Sequence, residues 1–98
     1  MKSILQVDEE KCYLCGMPEN GDHLDWHHVF EGSRRQLSEK YGLKVKLHHR
    51  QCHQEGPRAV HRNAETMKRM KATCQKAAMD YYGWSVEEWI KIFGKSYL

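Results

Sequence analysis

The sequence predicts a small α+β domain: a two-strand antiparallel ribbon, a metal-bearing loop, a long helix packed across it and a short C-terminal helix. Three observations lead there. Apolar and polar residues alternate over 23–30 and again at Leu43, Val45 and Leu47, the period of two expected of a half-buried strand. Between Asn63 and Gly83 the period changes to three and four. Cysteines and histidines punctuate the first two thirds of the chain at metal-ligand spacings, beginning with Cys12-x-x-Cys15. Ninety-eight residues is one domain's worth of chain. At that size the buried fraction of the surface is limited, and a structural metal is a common supplement to the core. The domain divides into a knuckle and loop over 1–22, a two-strand metal-bearing region over 23–62 and a helical part over 63–98.

Residues 12–21 read as a knuckle and loop, since Gly16 permits a positive φ and Pro18, Asn20 and Gly21 add turn chemistry. The first strand, 23–30, sets Leu24, Trp26, His28 and Phe30 on one side and is ended by Glu31-Gly32-Ser33. A short helix or irregular turn over 33–41 is stopped by Gly42. The second strand follows, with Lys44 and Lys46 alternating against its apolar residues. Residues 48–62 are loop-like, with Gly56-Pro57 in their middle. Asn63 then caps a helix running to about Tyr82, because its side chain can accept from backbone N–H groups two or three residues on, and Gly83 ends it.

On that helix Met67, Met70, Cys74, Ala77, Ala78 and Tyr81 form one stripe, which places Cys74 and the methionines in the core rather than in a cofactor site. The same stripe could instead support a homodimer. Ser85 and Glu88 fit a capping box for a last helix presenting Val86, Trp89, Ile90 and Phe93 on one side before Gly94.

No stretch approaches the roughly 18 apolar residues of a membrane span, and the N-terminus turns acidic before a secretory apolar region forms. A cytoplasmic location and no membrane partner are therefore expected. In a reducing compartment Cys-x-x-Cys is a zinc pair rather than a disulfide. Cys12 and Cys15 would supply half of a tetrahedral Zn²⁺ site, and the most economical other half is His49 and Cys52, with His48 able to replace His49. All seven histidines fall between residues 23 and 61, more than one zinc needs. At the fraying end of a strand the adjacent His27 and His28 can reach one centre. One imidazole could bind a divalent cation while its neighbour takes a proton from water. Residues 34–76 carry twelve Lys or Arg against three Glu, a net +9, whereas the flanks carry four Lys against ten Asp or Glu, a net −6. Such a segregated field favours a polyanion over one face.

The order Cys12-x-x-Cys15, Trp26-His27-His28-Val29-Phe30, a Leu47-led second ligand pair running into Cys52-His53, then His61 before a helix resembles the HNH nucleases of the ββα-metal (His-Me finger) superfamily. His28 to Ser33, Ser38 to Leu43, Val60 to Asn63 and Ile92 to Leu98 resemble, more narrowly, small HNH-type proteins of phages and prophages. That resemblance implies a zinc-stabilised ββα-metal domain and a metal-dependent DNA endonuclease. It makes His28 the general base and His27 a metal ligand, with the last ligand at His61, or at His53 as a competing or additional one. The catalytic ion would be Mg²⁺, Mn²⁺ or Ni²⁺. Arg34, Arg35, Arg50, Arg58, Arg62, Lys68 and Arg69 could grip phosphates along the groove. The alternative is a catalytically inactive zinc-stabilised nucleic-acid-binding module or an adaptor to a phage protein.

Overall fold

A computed structural model describes residues 1–98. Strand β1 (Leu24–His28) is followed by a 3₁₀ turn (Gly32–Arg34) leading into helix α1 (Arg35–Tyr41), then strand β2 (Lys44–His48) and a π-helical turn (His49–Gln54). Helices α2 (Ala64–Tyr82) and α3 (Val86–Phe93) complete the α+β architecture. No helix is long and apolar enough to cross a membrane.

β1 and β2 pair antiparallel, Leu24 opposite His48 and His28 opposite Lys44. Residues directly opposite share a face. Leu24, Trp26 and His28 therefore lie with His48, Lys46 and Lys44, whereas Asp25 and His27 lie with Leu47 and Val45. The second of these faces is the more deeply buried, with His27, Val45 and Leu47 all closed off from solvent. Trp26, on the first, is only half-buried and lies beneath the Lys44 and Lys46 ammoniums, 4.8 and 4.7 Å from its ring.

The outer edge of β2 is covered by the N-terminal segment. Ile4 N–H donates to Gly42 O, Tyr13 N–H to Lys46 O, and the Lys46 N–H is accepted by the Gln6 side chain. Pairing of this kind removes the exposed edge that a two-strand sheet otherwise presents. Gly42 is where the segment crosses closest. It holds φ +74° at the C-terminus of α1, and a Cβ there would collide with the Lys2 carbonyl. Gly42→Ala is expected to lower stability by on the order of 1–3 kcal/mol, read as a fall in the denaturation midpoint. An unchanged midpoint would show that the N-terminal segment does not seat against this turn.

The core joins the end of the ribbon to the helices. Trp89 and Phe93 of α3 stack at 4.0 Å, and Phe30 packs against both at 5.4 and 5.1 Å. Ser38 ties α1 to the chain after β1, donating to Phe30 O and accepting from Phe30 N–H. The caps form as expected: Asn63 Oδ1 accepts from Thr66 N–H, and Ser85 and Glu88 close a reciprocal box. Cys74 is buried in the core, as its position on the stripe implies. Gln75 is also buried, holding the C-terminal residues through Ser96 and the Tyr97 N–H.

Three expectations are corrected. Tyr81 stands outside the buried stripe and is exposed, the interior of α2 being filled by Met70, Cys74, Gln75 and Ala78. On α3 only Trp89 and Phe93 are buried, while Val86 and Ile90 reach solvent because α3 packs along a narrower line than its apolar face. Residues 49–54 form a helical turn rather than a loop, and that turn decides which ligands meet.

Candidate metal centres and a histidine cleft

Cys12, Cys15, Cys52 and His48 converge, with one donor atom of each within 4.8 Å of every other. The knuckle is closed by Gly16 N–H on Cys12 O and by Cys12 N–H on Met17 O, with Gly16 at φ +78°. His48, the last residue of β2, places Nδ1 3.3 Å from Cys15 Sγ and 4.0 Å from Cys52 Sγ. Zinc bonds of about 2.3 Å to sulfur and 2.0–2.1 Å to nitrogen put tetrahedral N···S edges at roughly 3.6 Å, a value the two distances bracket. His48 Nε2–H donates to Pro18 O, which leaves the Nδ1 lone pair facing the sulfurs. Burial raises the Cys12 thiol pKa, but backbone N–H groups of Cys15, His48 and Leu14 outweigh it and the net shift is downward, towards the thiolate a metal needs. This Cys₃His cluster could hold a structural metal such as zinc.

His49 is not part of it, which corrects the more economical of the two pairings read from the sequence. Two geometric facts exclude it. Strand parity sends His48 and His49 to opposite faces. In the helical turn that follows, residues four apart share a side, so Cys52 goes with His48 whereas His53 goes with His49.

A second cluster lies on the other face. His27 Nδ1 and His61 Nε2 approach His53 Nε2 at 3.2 and 3.1 Å, and Glu31 Oε1 stands 3.4 Å from His27 Nδ1 and 3.2 Å from His61 Nε2. The structure thus brings together all three histidines named as ligands, His53 and His61 being joint members rather than competitors. β1 supplies His27, the π-helical turn His53 and the approach to α2 His61. Burial, then the neighbouring imidazoles of His53 and His61, pulls the His27 pKa down to about 3, so this ring is neutral and its lone pair free near neutrality. Its Nε2 faces the interior without a hydrogen-bond partner. Such an arrangement typically costs about 1–3 kcal/mol.

Glu31 and Asp25 are the residues that sequence reasoning missed. Asp25 Oδ2 accepts from His53 Nδ1 at 2.9 Å, which turns the His53 Nε2 lone pair towards the cluster. Burial raises the Asp25 pKa, but hydrogen bonds from His49 and His53 outweigh it and hold it below the ordinary carboxylate value. Strand alternation carried the signal for Asp25, which shares a face with His27. Glu31 lay in a segment whose glycine and serine mark a turn, and its approach to His27 arises only after the strand has ended.

His28 ends β1, and with Trp26, His27, Glu31, Arg35, His53 and His61 it lines an open cleft of about 250 Å³. Its Nε2 is 3.4 Å from Glu39 Oε1. The Glu39 carboxyl is held at about 2, chiefly by the Lys44 ammonium at 2.6 Å and further by His28.

Among the basic residues proposed to meet phosphate, Arg35 alone lines this cleft. Arg34 is engaged elsewhere: its guanidinium donates to Phe93 O and anchors α3, a structural role. Arg50 pairs with Glu55, Arg62 donates to Glu55 O, and Arg58 and Arg69 border a separate hollow beside Tyr13 and Met70. Lys68 is exposed on α2.

Comparisons of the chain with protein-family models, with curated proteins and with solved structures find no match.

Proposed function

We propose that the protein is a metal-dependent DNA endonuclease of the HNH kind, hydrolysing a phosphodiester bond in the histidine cleft. The observation that carries this reading is the convergence of His27, His53, His61 and Glu31 in one open cleft with His28 and Arg35. Imidazole nitrogens and a carboxylate suit Mn²⁺, Ni²⁺ or Zn²⁺, and admit Mg²⁺ less readily. When bound, such an ion supplies Lewis-acid stabilisation of charge on the scissile phosphate. The chain's own groups do the rest. Glu39 receives the His28 Nε2–H and leaves Nδ1 as the basic nitrogen, which takes a proton from water as the water attacks phosphorus; the P–O bond to the leaving sugar oxygen breaks opposite it, and that oxygen takes its proton from solvent water. Arg35 offsets charge on a non-bridging oxygen, and Asp25 keeps His53 in the tautomer that presents Nε2. The basic central segment supplies sequence-independent attraction for the polyanion.

Supercoiled plasmid incubated with the protein and Mn²⁺, Ni²⁺ or Mg²⁺ should be converted to relaxed or linear forms, with conversion abolished by a chelator and suppressed by salt. Absence of conversion with all three ions would overturn the reading.

One observation favours a second reading. Glu31 is a fourth protein donor, and four donors can close a tetrahedral site in the manner of a structural metal. In that case the protein is a nucleic-acid-binding module with two structural ions, and it retards DNA in a gel without cutting it.

A further inference from the structure

A third group of metal-ligating side chains stands outside both clusters. Continuing the ribbon's register by one pair places His23 opposite His49, and the His49 N–H donates to His23 O at 2.8 Å. Asp25, two residues along the strand, shares the His23 face. Asp22 fixes the two backbones further, each of its oxygens accepting a turn N–H, from Arg50 and from Gln51, at 2.9 Å. The frame that carries both imidazoles is therefore tied at three points.

Within it, His23 Nε2 lies 2.9 Å from Asp25 Oδ1 and His49 Nδ1 2.7 Å from Asp25 Oδ2. The two rings stack, 4.7 Å apart and 17° from parallel, presenting nitrogens to one carboxylate. Although His23 Nε2 is close, it sits off the hydrogen-bonding direction, and Asp25 Oδ1 is a buried oxygen with no donor. A buried acceptor without a partner normally costs stability, and a cation between it and the two imidazoles removes that cost. Access is open, His23 being 66% and His49 43% exposed at the side chain.

We infer that His23, Asp25 and His49 form a third metal site, for a borderline divalent transition ion such as Zn²⁺, Ni²⁺ or Cu²⁺. Two imidazoles and one carboxylate select these ions over Mg²⁺ and Ca²⁺. With three protein donors the site leaves room for water, so it binds more weakly than the closed Cys₃His cluster. Asp25 is common to this site and to the hydrogen bond on His53, which places the new site one residue from the histidine cleft.

The test counts Ni²⁺ ions bound by zinc-loaded protein, using calorimetric titration of the parent, His23→Ala, His61→Ala and the double variant. The parent should take two Ni²⁺. His23→Ala should lose one, with its affinity reduced roughly tenfold or more, while a large Mg²⁺ excess leaves that ion in place in the parent. Loss of one ion by His23→Ala with none lost by His61→Ala would uphold this site and count against the cleft as a metal centre. A His23→Ala isotherm that superimposes on the parent's overturns the inference. A second readout is NMR of the His61→Ala variant, in which substoichiometric Cu²⁺ should broaden the ring signals of His23 and His49. Sharp signals there contradict the site.

Discussion

If the protein is the proposed nuclease, His28→Ala should leave it folded, metal-binding and DNA-binding but lower cleavage by about 10²–10⁴-fold, the usual contribution of a positioned general base. The fold should survive because His28 is the last residue of its strand and its side chain makes a single polar contact, with Glu39. Its ring is not among the atoms that converge on the second cluster, so metal content should not change. Glu39→Gln should lower cleavage less and move the pH profile, because the amide still touches the ring but no longer carries the charge that orients it. Lys44 would then lose its carboxylate partner as well, so a Lys44→Met control separates the two effects. Parent and His28→Ala cutting plasmid at the same rate would remove His28 from the chemistry.

The second large effect concerns the Cys₃His cluster. Cys12→Ser and His48→Ala should each release the tightly held zinc of the Cys₃His cluster and unfold most of the protein at ambient temperature, whereas His49→Ala should keep that ion and the fold. Structural zinc in small domains contributes apparent free energies of about 10–16 kcal/mol, against total stabilities of about 5–15 kcal/mol for ordinary domains. Cys12, Cys52 and His48 are all buried at the junction of the knuckle, β2 and the π-helical turn. Without a metal, the Cys52 pKa is raised by burial and then by the adjacent Cys12 and Cys15 sulfurs, which disfavours a second thiolate in the cluster. Zinc analysis and thermal melts of the three variants check this. Loss of the tightly held zinc and of thermal stability in His49→Ala, with both retained in His48→Ala, would reverse the assignment.

Local signals were the legible part. Period-two alternation located both strands, and Asn63, Ser85, Gly42, Gly83 and Gly94 marked helix ends by capping chemistry that needs no distant partner. The choice between His48 and His49 was not legible from ligand spacing, because His49-x-x-Cys52 copies the first pair only if the intervening residues form a knuckle. They form a helical turn instead. Arg34 read as a phosphate contact because it belongs to the basic central segment, yet its partner, the Phe93 carbonyl, lies 59 residues away in sequence. Asp25 entered the sequence reading only in the acidic count of the flanks, and Glu31 only in the turn that ends the first strand. Their proximity to imidazoles arises from strand pairing and from the chain reversal after Phe30, both tertiary facts. Val86 and Ile90 mark the limit of periodicity arguments, which find an apolar face but not how much of it is covered.

In the proposed nuclease, three imidazoles would hold a divalent ion beside His28 in a cleft open to a phosphodiester. Anomalous diffraction from crystals grown with Mn²⁺ and a short DNA duplex tests it most directly. The expected result is an Mn²⁺ peak bounded by His27 Nδ1, His53 Nε2 and His61 Nε2, with a phosphate oxygen on its open side and a water against His28. A peak elsewhere with no density among these rings, or an ion enclosed by protein donors alone with the duplex bound away from the cleft, would contradict it.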